Sequence, residues 1–177
     1  MTIEITPTLT TELTWWHQLY EQAFPAVERL PWNQLQELAQ TDSRMQLQTI
    51  KSDQRPVGIL FGVQFAVQEC FVVYLAISPE ERGQNLGSQV VQQLKQVFPQ
   101  GLMLESELVE KSAPNFEQRQ RRYAFYLRNG LQDSQLMTVN GPERYHLLYH
   151  HHYDVRVYLQ ISQQLGLPMG IYLSNSN

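Results

Sequence analysis

Between an apolar run at residues 71–77 and a helically periodic segment at 88–97, the chain reads Arg82-Gly83-Gln84-Asn85-Leu86-Gly87-Ser88. A strand that feeds a glycine-bearing turn and then a helix offers free backbone N–H groups and the positive helix end to an anion. Glycine suits such a place because a side chain would fill the volume of an approaching phosphate, or forbid the angles that aim the amides inward. The receptor is the size of a pyrophosphate; an ordinary strand-to-helix turn has the same spacing. It is not a P-loop, since GxxxxGK[ST] is absent, and it lacks the GxGxxG of a nicotinamide fingerprint.

Other reactive side chains point to less. Cys70 is the only cysteine, so no intrachain disulfide or thiolate cluster can form, and without a His/Asp relay it reads as a small buried apolar residue. His150, His151 and His152 invite a metal reading. Consecutive residues on an extended chain point to alternating sides, and Asp154 does not complete a coordination sphere, so the tract is expected to face solvent or a partner. Tyr145, Tyr149, Tyr153 and Tyr158 could form an aromatic packing patch, with a homodimer as one use.

The elements that must position these groups follow from periodicity. Residues 3–7 alternate as a short strand. Leu13, Trp16, Leu19, Tyr20 and Phe24 line one face of a helix that Pro25 stops, and a second short helix is expected at 32–39. Residues 44–50 and 57–67 form a hairpin around SDQRP, and 71–77 is a central strand covered on both faces. In the helix at 88–97, Val90, Val91, Leu94 and Val97 face the sheet. After Gly101, residues 102–108 form a further strand carrying Glu105 and Glu107 on one face. After Pro114 comes a charged helix at 117–128, ended by Asn129-Gly130, where a left-handed backbone is available. A late hairpin at 135–139 and 144–150 turns at Asn140-Gly141. Residues 155–165 read as a helix or an irregular arm, and 171–173 are too few to assign.

The chain has 177 residues with 13 basic and 17 acidic side chains, a formal net charge of −4. This length suits one domain over 1–177, with 151–177 as a candidate C-terminal extension. An excess of acid disfavours nucleic-acid binding. The chain carries no basic leader and no apolar stretch long enough to cross a bilayer, so a soluble, cytoplasmic protein without a membrane partner is expected. Its 23 glutamines against 3 lysines keep helix faces polar without adding charge.

Two segments resemble the GCN5-related N-acetyltransferase family. YLAISPEERGQNLGSQVVQQL is similar to that family's fourth strand and following helix. The family's phosphate pattern is Arg or Gln, two residues, Gly, one residue, then Gly or Ala. Arg82 and Gly87 match, and Asn85 stands at the first glycine, where asparagine adds bulk but tolerates a left-handed backbone. RRYAFYLRNGL is similar to the helix ending in FYxxxGF, with Arg119 seven residues before the tyrosine where many members have asparagine.

The resemblance, which covers most of the chain, implies an α/β fold with a mixed, splayed central sheet flanked by helices. Acetyl-coenzyme A would enter the splay as cosubstrate, with no metal. The backbone of Tyr74, Leu75, Ala76 and Ile77 would pair with pantetheine and polarise the thioester carbonyl; Arg82, Gly83, Gln84, Asn85, Leu86, Gly87 and Ser88 would hold the pyrophosphate. The implied reaction is direct attack of a primary amine on the thioester. Tyr126 is then the candidate general acid for the departing thiolate, the plain alternative being that Phe125 and Tyr126 pack the helix. Glu105 and Glu107 would stand beside the opening as proton acceptors or cation holders, or else face solvent or pair with Arg119, Arg121 and Arg122. Glu28 would overhang the acceptor pocket. A non-catalytic acyl-coenzyme A sensor and an interaction protein using the C-terminal aromatics are the competing classes. The acceptor amine stays open, as does the choice between monomer and homodimer.

Overall fold

Alternating and apolar runs become eight strands in the computed structural model, which describes residues 2–172. These are β1 (Ile3–Pro7), β2 (Met45–Ser52), β3 (Arg55–Ala66), β4 (Glu69–Ile77), β5 (Gly101–Glu107), β6 (Gln132–Asn140), β7 (Glu143–His150) and β8 (Met169–Tyr172). They form one sheet in the order β1-β2-β3-β4-β5-β7-β6-β8. Only β4 and β5 run parallel; every other pairing is antiparallel. The helices are α1 (Leu13–Ala23), α2 (Trp32–Thr41), α3 (Leu86–Val97), α4 (Phe116–Arg128) and α5 (Val155–Leu165). Buried side chains of α1, α2 and α5 cluster on one sheet face, and those of α3 and α4 on the other.

Each helix docks through a stripe at three- and four-residue spacing. Trp16, Leu19 and Tyr20 do this for α1, and Leu86, Val90, Val91 and Leu94 for α3. Burial of each such side chain contributes about 1.5–3 kcal/mol. Val97, expected to face the sheet, is exposed, because the helix ends there and Phe98 packs in its place. Val67, expected inside the second hairpin strand, is likewise exposed: β3 stops at Ala66, and Gln68 takes a positive φ in the turn.

Residues 155–165 are a helix and not an arm. The Asp154 carboxylate caps it by accepting from the Arg156 N–H at 2.8 Å, and Gly166 at φ +65° ends it. Tyr158, Ile161 and Leu165 enter the core. Ile171 belongs to β8, which pairs with β6, while Leu173 lies outside the described residues. Strand β6 starts at Gln132, earlier than its alternation suggests, because the register with β7 slips between Asp133 and Met137. Tyr145 and Tyr158 are buried, so the four tyrosines are not together available to a second copy; the rings of Tyr149 and Tyr153 meet at a tilt of 49° with centroids 4.5 Å apart.

One irregularity interrupts the sheet at β4. Phe61 pairs with Tyr74 and Gly62 with Val72, leaving Val73 as an extra residue in β4. Such a bulge bends a strand and increases its twist. Val73 and Tyr74 consequently share the α1/α2/α5 face, so the alternation of sides shifts by one residue within a run that is apolar because helices cover both faces. The parallel pairing of β4 with β5 ends beside it, at Val72 and Leu104, although β4 continues to Ile77 and β5 to Glu107. The sheet therefore forks, and among the described residues no strand pairs with 73–77 of β4 on the β5 side.

Candidate active site

Beyond the fork, β4 delivers the chain into the glycine-bearing loop. The loop is tied down at its start by the Ser78 N–H donating to Val57 O at 2.9 Å. Glu81, buried, is gripped by both terminal nitrogens of Arg55, with Nη2 to Oε2 at 3.0 Å. Gly83 adopts φ +82°, and Asn85, the residue before α3, is left-handed at φ 59° and ψ 16°. Asparagine thus does what a glycine would do there. Leu86 drives the helix start into the core, so α3 begins two residues earlier than its periodicity indicates.

The backbone N–H groups of Gly83, Gln84, Asn85, Leu86, Gly87 and Ser88 find no acceptor among the described residues. Of these residues, all but Gln84 border an open groove of about 540 Å³ walled by Ile77 and Arg82 on one side and by Phe125, Arg128 and Asn129 of the α4 end on the other. Neither Arg82 nor Arg128 lies within ion-pair distance of a carboxylate among the described residues. Free amides, a helix N-terminus and two unpaired guanidinium groups suit a multiply charged phosphate. A Cβ added at Gly87 would stand 3.2 Å from Phe125 Cζ, so this glycine lets α3 and α4 close together.

Tyr126 lies on α4 within the α3/α4 cluster. Burial pushes its phenol above the usual range, with Arg122 pulling weakly the other way, and its hydroxyl makes no hydrogen bond among the described residues. A neutral phenol able to donate results.

The two strand carboxylates, expected to act alike, part company. Glu107 is buried and paired as the arginine alternative foresaw: it accepts from Arg122 Nη1 and from Asn115 Nδ2 at 3.2 Å, and Arg119 Nε stands at 3.4 Å. Arg119 also donates to Asn115 Oδ1 at 2.7 Å, Leu108 O at 3.4 Å and Glu143 Oε2 at 3.1 Å. Its guanidinium is committed to joining α4 with β5 and β7. Arg121 pairs with Glu117, at the surface.

Glu105 is half-buried, and among the described residues no arginine pairs with it. Its Oε1 accepts from Thr138 Oγ1 and from Tyr158 Oη, the latter at 2.6 Å. Burial raises its proton affinity, and these two hydrogen bonds oppose the rise. Glu28 sits in the α1–α2 connection, where the Tyr74 hydroxyl donates to Glu28 O and accepts from the Leu30 N–H, both at 2.9 Å. The Tyr74 side chain thereby braces this connection while its backbone faces the fork. Burial and the Glu107 charge raise the Glu28 carboxyl, against the pull of Arg122.

Cys70 is buried, its thiol pushed up to about 12 by desolvation, which leaves it no thiolate character near neutrality. Among the described residues no group of three or more His, Cys, Asp or Glu side chains could hold a metal ion. No helix there is long and apolar enough to cross a membrane.

Thr138, Tyr158, Glu143, Asn115 and Arg128 join the site without having been singled out for it by sequence. Tyr158 had left a signal, since it lies on an apolar stripe with Ile161 and Leu165, where a buried phenol needs a partner. Arg128 had none beyond its place at the end of α4.

A model of the acetyltransferase (GNAT) family matches residues 11–130. No curated protein sequence matches significantly. Among solved structures, a protein described as a GNAT-family acetyltransferase from Bacteroides thetaiotaomicron aligns with TM-score 0.75 at 21% identity, covering 92% of this chain and 95% of that one. A spermidine N-acetyltransferase variant from Vibrio cholerae aligns with TM-score 0.61 at 11% identity, over 84% and 92% of the two chains. The ribosomal-protein-S18-alanine N-acetyltransferase from Escherichia coli gives 0.55 at 16% identity, over 84% and 92%.

Proposed function

Because this chain belongs to the acetyltransferase (GNAT) family, we propose that it moves an acetyl group from acetyl-coenzyme A to a primary amine by direct attack. The observation that carries the reading is the fork between β4 and β5 opening beside an unpaired amide cradle. The cradle fits the cosubstrate, with residues 83–88, Arg82 and Arg128 around its pyrophosphate. The free backbone edge of Tyr74, Leu75, Ala76 and Ile77 suits the amides of its pantetheine arm. The bound thioester supplies an activated acetyl carbon.

The protein's own groups then have distinct tasks. Donors along the β4 edge polarise the carbonyl oxygen. Glu105 accepts the proton that the attacking amine must lose, directly or through water, and Tyr126 donates a proton to the departing thiolate. Glu28 adds a carboxyl group to the far side of the opening, where it can hold a cationic acceptor, while the charge of Glu107 is balanced by Arg122 and Arg119.

The test is acetyl-coenzyme A turnover against an amine panel that includes spermidine and an alanine-terminated peptide, with thiol release and product mass followed together. Tyr126→Phe is expected to fold normally, since the hydroxyl has no protein partner to lose. It should keep coenzyme A affinity and slow the single-turnover step by roughly 10- to 10000-fold. The enclosure of Tyr126 among apolar side chains favours a second reading, a coenzyme A-binding module in which this ring only packs. Tight coenzyme A binding with no product from any amine would establish that reading instead.

A further inference from the structure

We propose that Tyr158 and Thr138 are positioning residues for acetyl transfer, holding one oxygen of the Glu105 carboxylate so that the other stays open to an acceptor at the fork. The inference rests on the reading of Glu105 as proton acceptor. Its geometric basis is the asymmetry of that carboxylate. Both hydroxyls donate to Oε1, with Tyr158 Oη at 2.6 Å. Oε2 takes no donor among the described residues, yet it is not among their sealed, unpartnered polar atoms, which are Thr6 Oγ1 and Ser106 Oγ. Glu105 is also the first β5 residue past the last pairing with β4, at Val72 and Leu104. One oxygen is thus anchored and the other free where the strands part.

The anchors cannot exchange their partner for water. Tyr158 and Thr138 are both fully enclosed, at 0% exposure. The Tyr158 ring is set edge-on against Phe71, with centroids 5.7 Å apart. Its helix is tied back where Ser162 Oγ donates to Leu167 O at 2.9 Å. Burial and the neighbouring Glu105 charge hold the Tyr158 phenol protonated, so it serves as a donor throughout the working pH range. Both anchors lie after residue 130, beyond the segment that the family model matches. The C-terminal third of the chain thereby reaches into the chemistry.

The described surroundings of Glu105 contain no compensating cation. Thr138 faces it from β6, Tyr158 from α5 and Tyr145 from β7, with Glu107 further along its own strand. Tyr74 shares its sheet face from β4, and Glu28 and Glu143 reach Tyr145 electrostatically. Among the described residues no lysine, arginine or histidine stands within ion-pair distance of Glu105. The two hydroxyls are therefore its main stabilisers in the charged form, and losing either makes the carboxylate harder to form.

The test is the pH profile of kcat/KM for the wild type, Tyr158→Phe, Thr138→Val and Thr138→Ser, with a carbon-13 titration of the Glu105 carboxyl beside it. A base works only when deprotonated, so removing a donor should move the acid limb upward, by about one pH unit or more for Tyr158→Phe. Below the limb the variant should be at least tenfold slower, and above it the rates should converge. Thr138→Val should shift the limb in the same direction and Thr138→Ser should restore it, which keeps the test alive should Tyr158→Phe not fold. An unmoved limb, or one uniform loss at every pH, overturns the proposal and leaves a structural role. If the wild type acetylates nothing, the catalytic reading fails on its own. The carboxyl titration still decides the anchoring, which an unshifted Glu105 in both variants would refute.

Discussion

Asn85 occupies a backbone conformation, φ 59°, that most side chains avoid, at the position where amides must point outward. A β-branched residue there costs roughly 1–2 kcal/mol or more, whereas glycine costs nothing sterically. Asn85→Gly is therefore expected to keep both stability and coenzyme A affinity. Asn85→Val should lose about 1–2 kcal/mol in urea unfolding and bind coenzyme A more weakly by calorimetry. Unchanged binding by the valine variant would mean that the loop's left-handed turn does not shape the receptor. The same residue-level logic explains Arg119. An asparagine is frequent at that place in the family, but here the guanidinium is saturated by Asn115, Leu108, Glu107 and Glu143, so the departure serves internal pairing between α4 and its neighbouring strands.

At the scale of elements, α3 and α4 meet at Gly87, where an added Cβ would press on Phe125 at 3.2 Å. A bulky residue there acts twice, by spreading the two helices and by narrowing the groove they border. Gly87→Val should weaken coenzyme A binding about tenfold or more, while Gln96→Val on the exposed face of α3 should leave it unchanged; calorimetry on both folded variants checks this. The loop, both flanking elements and the α4 terminus were legible in sequence because each obeys a local rule: an apolar run, a 3.6-residue stripe, a glycine after the last turn. What was not legible is non-local. The extra residue at Val73, which ends the β4–β5 pairing, depends on register with β3, and no local pattern encodes register. Glu105 and Glu107 looked equivalent because strand periodicity puts both on one face. Their different fates are set by what arrives from elsewhere, α4 with its arginines for Glu107, and β6 and α5 with their hydroxyls for Glu105.

For the molecule as a whole, a largely enclosed carboxylate such as Glu105, with no lysine, arginine or histidine within ion-pair distance among the described residues, is an expense borne by the fold. The raised Glu105 carboxyl keeps its proton in the folded state at pH values where the unfolded chain, near the ordinary value of about 4.3, has released it. Stability from this group therefore falls as pH rises through the unfolded value, and the full penalty stands once the folded value is passed. Glu12 runs the other way: burial raises it, but Lys51, the Leu9 N–H and Thr49 outweigh burial, so its net contribution is lost as pH falls. Comparing a Glu105 variant with the wild type at each pH cancels such other groups. Glutamine at 105 keeps an oxygen for Thr138 and Tyr158 and carries no charge. Glu105→Gln should accordingly be more stable than the wild type near pH 7.5, read as a higher Tm, and its advantage should shrink as pH falls to about 4, the ordinary carboxyl range. The same variant should lose acetyl transfer. Thermal unfolding across that range is the measurement. A gain of equal size at both ends of the range would trace to packing and not to charge, and no gain at neutral pH would mean that the fold carries the ionised Glu105 without cost.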